Sequence, residues 1–199
     1  RKGATYVGIP PSQPILSDRL GALGDTTGIF GKTHDGIAEE QMAFTRWDEF
    51  FGFNNGASNY LGELNRRHNP IFHNRSILSQ SPNTQKTPRS DLLDNGVIHS
   101  SETEYLTDSI GDAAVAFIKS HKQSPFLCYI PFNAIHGPFQ APRRLVEKFS
   151  DEADDTRRLV KAMLYSLDQN VGKVIQCVPD NNLESRTLII FLSDNGGHD

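Results

Sequence analysis

Cysteine is almost missing from this chain. Two residues, Cys128 and Cys177, among 199 cannot build a disulfide scaffold or a cysteine zinc site. Cys128 lies inside an apolar run and reads as a small buried hydrophobe. No apolar run approaches the roughly 18 residues that a membrane span requires. Neither sign of charge dominates: 20 Lys+Arg against 24 Asp+Glu leave a net charge of −4. That balance weighs against a nucleic acid or an anionic membrane as the main partner. Internal repeats and low-complexity tracts are lacking too. What is present is 37% hydrophobic residues, which suffices for one large domain or part of one. The chain starts at Arg1 without Met or a signal peptide and stops at Asp199 just after a polar cluster. Those ends lead us to expect a fragment.

Three short apolar runs rich in β-branched and aromatic residues predict buried strands at 26–30, 126–132 and 187–192. Their hydrophobicity is continuous rather than alternating, as in strands covered on both faces. Pro131 marks the place where pairing of the second run should stop. Between them, Leu106, Ile110, Ala113, Ala114, Phe117 and Ile118 recur at helical spacing and predict a helix over 107–122. A longer stripe from Val160 to Val178 predicts a helix over 155–178, closed by Pro179. A shorter helix is expected over 15–23, ending at Gly24. Helices alternating with strands imply an α/β fold with a largely parallel sheet. The stretch 54–100, rich in Asn, Ser, Pro and charge, reads as an irregular insertion with a small hairpin near Asn74.

Each predicted strand runs directly into residues capable of chemistry. After the first come Gly31-Lys32-Thr33-His34, after the second Asn133-Ala134-Ile135-His136, and after the third Ser193-Asp194-Asn195-Gly196-Gly197. Ligand sites of open α/β sheets form beyond the carboxyl ends of the strands, so parallel strands would bring Lys32, His34, His136, Asp194 and Asn195 to one rim. A carboxylate beside an amide oxygen suits Ca²⁺ or Mg²⁺. A lysine and two histidines suit an oxyanion such as sulfate or phosphate. Any one of the motifs has an ordinary reading as a turn or loop. Three at successive strand ends point to a shared site for hydrolysis or transfer of an acidic ester.

These residues resemble the sulfatases of the arylsulfatase type, in the alkaline-phosphatase-like superfamily. The likeness runs in order through Pro10-Pro11-Ser12-Gln13-Pro14, Gly31-Lys32-Thr33-His34, the aromatic turn Asp48-Glu49-Phe50-Phe51-Gly52-Phe53, Tyr105-Leu106-Thr107-Asp108, Asn133-Ala134-Ile135-His136, Leu167-Asp168-Gln169-Asn170-Val171-Gly172 and Ser193-Asp194-Asn195-Gly196-Gly197. The resemblance implies a large, mostly parallel sheet with helices on both faces. It implies that Lys32 and His34 contact the nucleophile and sulfate, that His136 binds sulfate or helps the leaving group, and that Asp194 and Asn195 hold one Ca²⁺ ion. It also implies a formylglycine nucleophile made from Cys or Ser in a C/S-x-P-S-R motif, a sulfated small molecule or glycan as substrate, and an exported protein.

The sequence departs from the pattern in two places. No C/S-x-P-S-R occurs, and the family's paired N-terminal aspartates are missing. Cys177-Val178-Pro179 begins like the motif, but Asp180-Asn181 follow, at the end of a predicted helix. Asp154-Asp155 read as a solvated helix start. The expectation is therefore an internal piece, 1–199, of a sulfatase catalytic domain, inactive by itself. Two alternatives remain open: a phosphatase or phosphodiesterase of the same superfamily with two zinc ions, and a non-catalytic relative that binds sulfated glycans. Asn74-Arg75-Ser76 fits a glycosylation sequon, and Arg66, Arg67, Arg75 and Arg89 lie in the insertion.

Overall fold

The computed structural model describes residues 9–10, 12–33, 43–54, 56, 58–61, 92–95, 97–98, 104–194 and 196. Its centre is β1 (Thr26–Lys32), buried along most of its length. On one side β1 pairs in parallel with β2 (Glu49–Phe53), with Gly28 opposite Glu49 and Lys32 opposite Phe53. On the other it pairs in parallel with β5 (Phe126–Tyr129), with Thr26 opposite Phe126 and Ile29 opposite Tyr129. Two short strands, β3 (Leu93–Asp94) and β4 (Val97–Ile98), continue the sheet antiparallel beyond β2, giving the order β4-β3-β2-β1-β5. Two of the three strands expected to lead to the rim, β1 and β5, are thus parallel neighbours, and β2 lies on the other side of β1.

β2 corrects the sequence reading. Asp48 to Phe53 was expected as an aromatic turn; Glu49–Phe53 is instead a strand whose Phe50, Phe51 and Phe53 are all buried. A strand covered on both faces shows no alternation, and Gly52 hides the pattern further. Gly52 is there because a Cβ would stand 1.8 Å from the Gly31 carbonyl oxygen of β1. Asp48 fixes the strand entry by accepting from both the backbone N–H and the hydroxyl of Thr27, each at 2.8 Å.

The helices expected over 15–23, 107–122 and 155–178 lie close to those places, and the short helix Arg143–Val146 was not expected. They are α1 (Leu16–Gly21), α2 (Leu106–His121), the short α3 (Arg143–Val146) and α4 (Asp155–Asp180). Asp18 accepts from the backbone N–H of Ile15 at 2.8 Å and from the guanidinium of Arg46, which tie α1 down. Arg46 also holds the Asp18 carboxyl below the usual carboxylate range. Asp154 caps α4, its side chain accepting from the Arg157 N–H at 2.7 Å. Pro179 sits in the last turn of α4, which runs one residue further, to Asp180. Ile110, Ala114 and Phe117 of α2 are fully buried, and the Phe117 ring lies 5.3 Å from that of Phe30 and 5.8 Å from that of Phe126. This is the core that seats α2 on the sheet.

α2 and α4 meet through polar contacts as well as apolar ones. Asp108 accepts from Ser166 at 3.0 Å and from Asn170 at 2.7 Å. A Cβ on Gly111 would stand 2.4 Å from the Asn170 side-chain oxygen, so the glycine makes room for Asn170 there. Asn170 of the Leu167-to-Gly172 motif is therefore a packing residue, 1% exposed.

The third expected strand does not form among the described residues. The run 188–192 is apolar enough to be buried, yet Leu188 is 84% exposed, Phe191 75% and Leu192 82%. No described strand pairs with it, and a strand needs a neighbour's ladder to satisfy its backbone. The expected hairpin near Asn74 lies outside the described residues. No helix among the described residues is long and apolar enough to cross a membrane.

Candidate functional site at the carboxyl ends of the strands

The rim is made by two close backbone approaches. The Lys32 N–H donates to the Pro131 carbonyl at 2.9 Å, just past the end of β5, and the Thr33 N–H donates to the Phe53 carbonyl at 3.1 Å, at the end of β2. Gly31 makes the first approach possible: its φ is +138°, and a Cβ there would stand 2.2 Å from the Pro131 oxygen. Thr33 then donates its hydroxyl to the Asn54 side-chain oxygen at 2.7 Å. The segments carrying Lys32 and His136 are thus fastened to each other within a few residues of those side chains.

Lys32 ends β1 and is half-buried. Burial pulls its ammonium below the ordinary lysine value, and the negative charge of Asp194 works in the opposite direction. The Asp194 charge therefore reaches Lys32, although the two are far apart in sequence. Asp194 itself is exposed.

His136 is exposed on the turn after β5. Its N–H donates to the Asn133 carbonyl at 2.7 Å, closing the turn. Its ring Nδ1 lies 2.7 Å from the Gly137 carbonyl oxygen. A carbonyl only accepts, so Nδ1 carries the hydrogen, and Nε2 is the nitrogen left for a ligand. Lys32 and His136 thus follow the carboxyl ends of two neighbouring parallel strands, while Asp194 follows no described strand and is linked to them through its charge on Lys32. His34 and Asn195 lie outside the described residues.

Neither cysteine offers a nucleophile. The Cys128 thiol, within β5, is pushed up to about 12, chiefly by burial. Cys177 is buried in α4, its thiol also raised, with the Asn181 amide 3.4 Å from its sulfur. Among the described residues no group of three or more His, Cys, Asp or Glu side chains gathers to hold a metal ion.

Sequence reasoning missed the support under His136. The wholly buried Tyr60 hydroxyl lies 2.7 Å from the Asn133 carbonyl oxygen and 2.8 Å from that of His136. Gln140 accepts from the Tyr60 N–H at 2.9 Å and donates to the Asn59 side chain at 2.9 Å. Its own carbonyl accepts from the Tyr105 hydroxyl at 3.0 Å. Burial raises both tyrosines, Tyr60 and Tyr105, so both remain O–H donors. The one available signal was an aromatic residue, Tyr60, standing in a polar stretch.

The sulfatase family profile matches residues 2–198. A sulfatase of Formosa agariphila is 37% identical over 108 residues, which are 47% of this chain and 20% of that protein. Arylsulfatase J of Mus musculus is 25% identical over 192 residues, covering 95% of this chain and 30% of its own length. The solved structure of Ps i-CgsB superposes with a TM-score of 0.72 at 27% identity, over 90% of this chain and 39% of that one. The chain therefore spans well under half the length of these relatives. The fold is the alkaline-phosphatase-like one expected from the motifs, and with the match running from residue 2 to residue 198 the chain belongs to the sulfatase family.

Proposed function

We propose that the protein carrying this chain hydrolyses sulfate esters, with the strand-end rim as part of its active site. The observation that supports the reading is that Lys32 ends β1 and His136 follows its parallel neighbour β5, with the Asp194 charge acting on Lys32. A half-buried ammonium is a strong partner for a sulfate oxygen, because little water competes for it. His136, on the turn after the neighbouring strand, is proposed to present Nε2 to the same ester. In its protonated form Nε2 hands a proton to the ester's alcohol oxygen as a nucleophile oxygen bonds to sulfur, the S–O ester bond breaks and its electron pair goes to the departing alcohol oxygen. His34 is proposed to share the contact with sulfate and nucleophile, on the resemblance alone.

Asp194 and Asn195 fit part of a calcium shell by chemistry, since both offer hard oxygen donors. Two ligands fall short of the about six to eight oxygens calcium takes, so the pair would hold one face of the ion. Calcium bound there would supply positive charge against a sulfate oxygen. No C/S-x-P-S-R occurs in the 199 residues, so the proposed formylglycine belongs outside them. The 199 residues, proposed as part of a catalytic domain with 54–100 as an insertion, should not turn over esters by themselves.

A sulfated glycan is the proposed substrate class. Support comes from one relative's name, N-acetylgalactosamine-6-sulfatase of Mus musculus, 25% identical over 95% of this chain, and from the Ps i-CgsB complex with k-i-k-neocarrahexaose. Export from the cell is proposed on the family likeness. The test is turnover of matched 4-nitrophenyl sulfate and phosphate by the protein as its gene encodes it, with calcium or zinc added. Sulfate turnover supported by calcium is expected. Zinc-dependent turnover of the phosphate alone would move the assignment to the phosphatase branch, and turnover of neither, with sulfated glycan still bound, to the binding relative.

A further inference from the structure

We infer that Tyr60 is the positioning residue for His136: it holds the carbonyls at both ends of the Asn133–His136 turn and thereby fixes where Nε2 points. The inference rests on the proposed role of His136 at the leaving group.

The geometry is specific. The turn is closed by the His136 N–H on the Asn133 carbonyl at 2.7 Å, and the Tyr60 hydroxyl touches that same carbonyl and the His136 carbonyl at 2.7 and 2.8 Å. A phenol has a single hydrogen, so it serves the two oxygens in turn and keeps both within reach of one point. Without it the Asn133 carbonyl retains the His136 N–H, but the His136 carbonyl loses this donor. The phenol cannot drift, because its own backbone is held on both sides. The Tyr60 N–H donates to Gln140 at 2.9 Å, and the Tyr60 carbonyl accepts from the Leu106 N–H at the start of α2 at 2.8 Å. Gln140 lies four residues past His136, so both flanks of the turn are bolted to one buried segment. The Asn133 side-chain oxygen is buried with no hydrogen-bond partner among the described residues, so that side chain adds no anchor of its own there. Imidazole placement then depends on main-chain position, which Tyr60 sets. A proton transfer is sensitive to such placement, a displacement of about 1 Å costing up to about a hundredfold.

The experiment compares Tyr60→Phe, His136→Ala and the double variant in the protein as its gene encodes it. Each is assayed with an aryl sulfate whose phenol leaves easily and with an alkyl sulfate whose alcohol does not. If Tyr60 acts through His136, Tyr60→Phe lowers kcat about tenfold on the alkyl ester and less than threefold on the aryl ester, with KM little changed. Adding it to His136→Ala then costs nothing more. An equal loss on both esters, or a loss that adds in full to that of His136→Ala, overturns the positioning role and leaves the His136 reading standing. If His136→Ala itself turns over the alkyl ester at the parent rate, the reading of His136 falls and this inference with it. Should Tyr60→Phe fail to fold, replacement of Tyr60 by 4-aminophenylalanine gives two N–H donors for the two carbonyls. A parent-like ratio of alkyl to aryl rates is then expected, and a ratio collapsed to that of His136→Ala overturns the inference.

Discussion

The turn after β5 and the run 187–194 are alike in sequence and unlike in structure. Each starts as an apolar stretch and ends in polar residues suited to a site. The first is fastened by the Lys32 N–H on Pro131 and by Tyr60 on Asn133 and His136. The second keeps its chain exposed from Leu188 to Asp194, with no strand beside it among the described residues. Hydrophobicity announces that a segment is meant to be covered; it does not supply the cover. A site residue becomes fixed only where a buried hydrogen-bonding partner reaches its backbone.

The contrast can be broken most severely at the rim glycines. Gly31→Ala sets a Cβ 2.2 Å from the Pro131 oxygen at a φ of +138°. It should destabilise the chain by about 3 kcal/mol, seen as a lower urea midpoint. Gln140→Ala comes next. It leaves the buried N–H of Tyr60 without its partner, and a loss of about 2 kcal/mol is expected in the same measurement.

Lys32 gives a smaller effect of opposite sign. Its value is lowered by burial from the ordinary 10.5, so at neutral pH the unfolded chain holds this proton more readily than the folded one. The lysine therefore costs stability below its folded value, and the cost fades as pH rises from there towards the unfolded value. Lys32→Gln should raise the unfolding midpoint slightly at pH 7, with the gap to the parent closing above about pH 10. A gap that widens with pH would contradict the burial assigned to Lys32. Smallest of all on stability should be Ile190→Ser with Leu192→Ser. Both side chains are exposed, so unfolding should move by no more than about 0.5 kcal/mol. Light scattering of the concentrated 199-residue chain should nevertheless fall, because an exposed apolar run is what other copies would stick to.

Much of this was legible in the residues. The long stripe from Val160 to Val178 gave α4 because 3.6-residue spacing repeated over many turns has few other readings. The strand-end positions of Lys32 and His136 followed from apolar runs that stop at polar motifs. Glu49–Phe53 was not legible as a strand: burial on both faces removes the alternation that marks one, and Gly52 looks like a turn residue until Gly31 is known to lie against it. Tyr60 and Gln140 were hidden for another reason. Their pairing spans 80 residues of sequence, and a tertiary hydrogen bond leaves no periodic trace.

The claim that the rim is a sulfate ester site is tested most directly by Lys32→Ala in the protein as its gene encodes it, following inorganic sulfate released from a sulfated glycan. The parent should release sulfate, and the variant should fold yet lose at least about a hundredfold in kcat/KM, the scale of removing one oxyanion donor. Release at the parent rate from a folded Lys32→Ala protein would contradict the account.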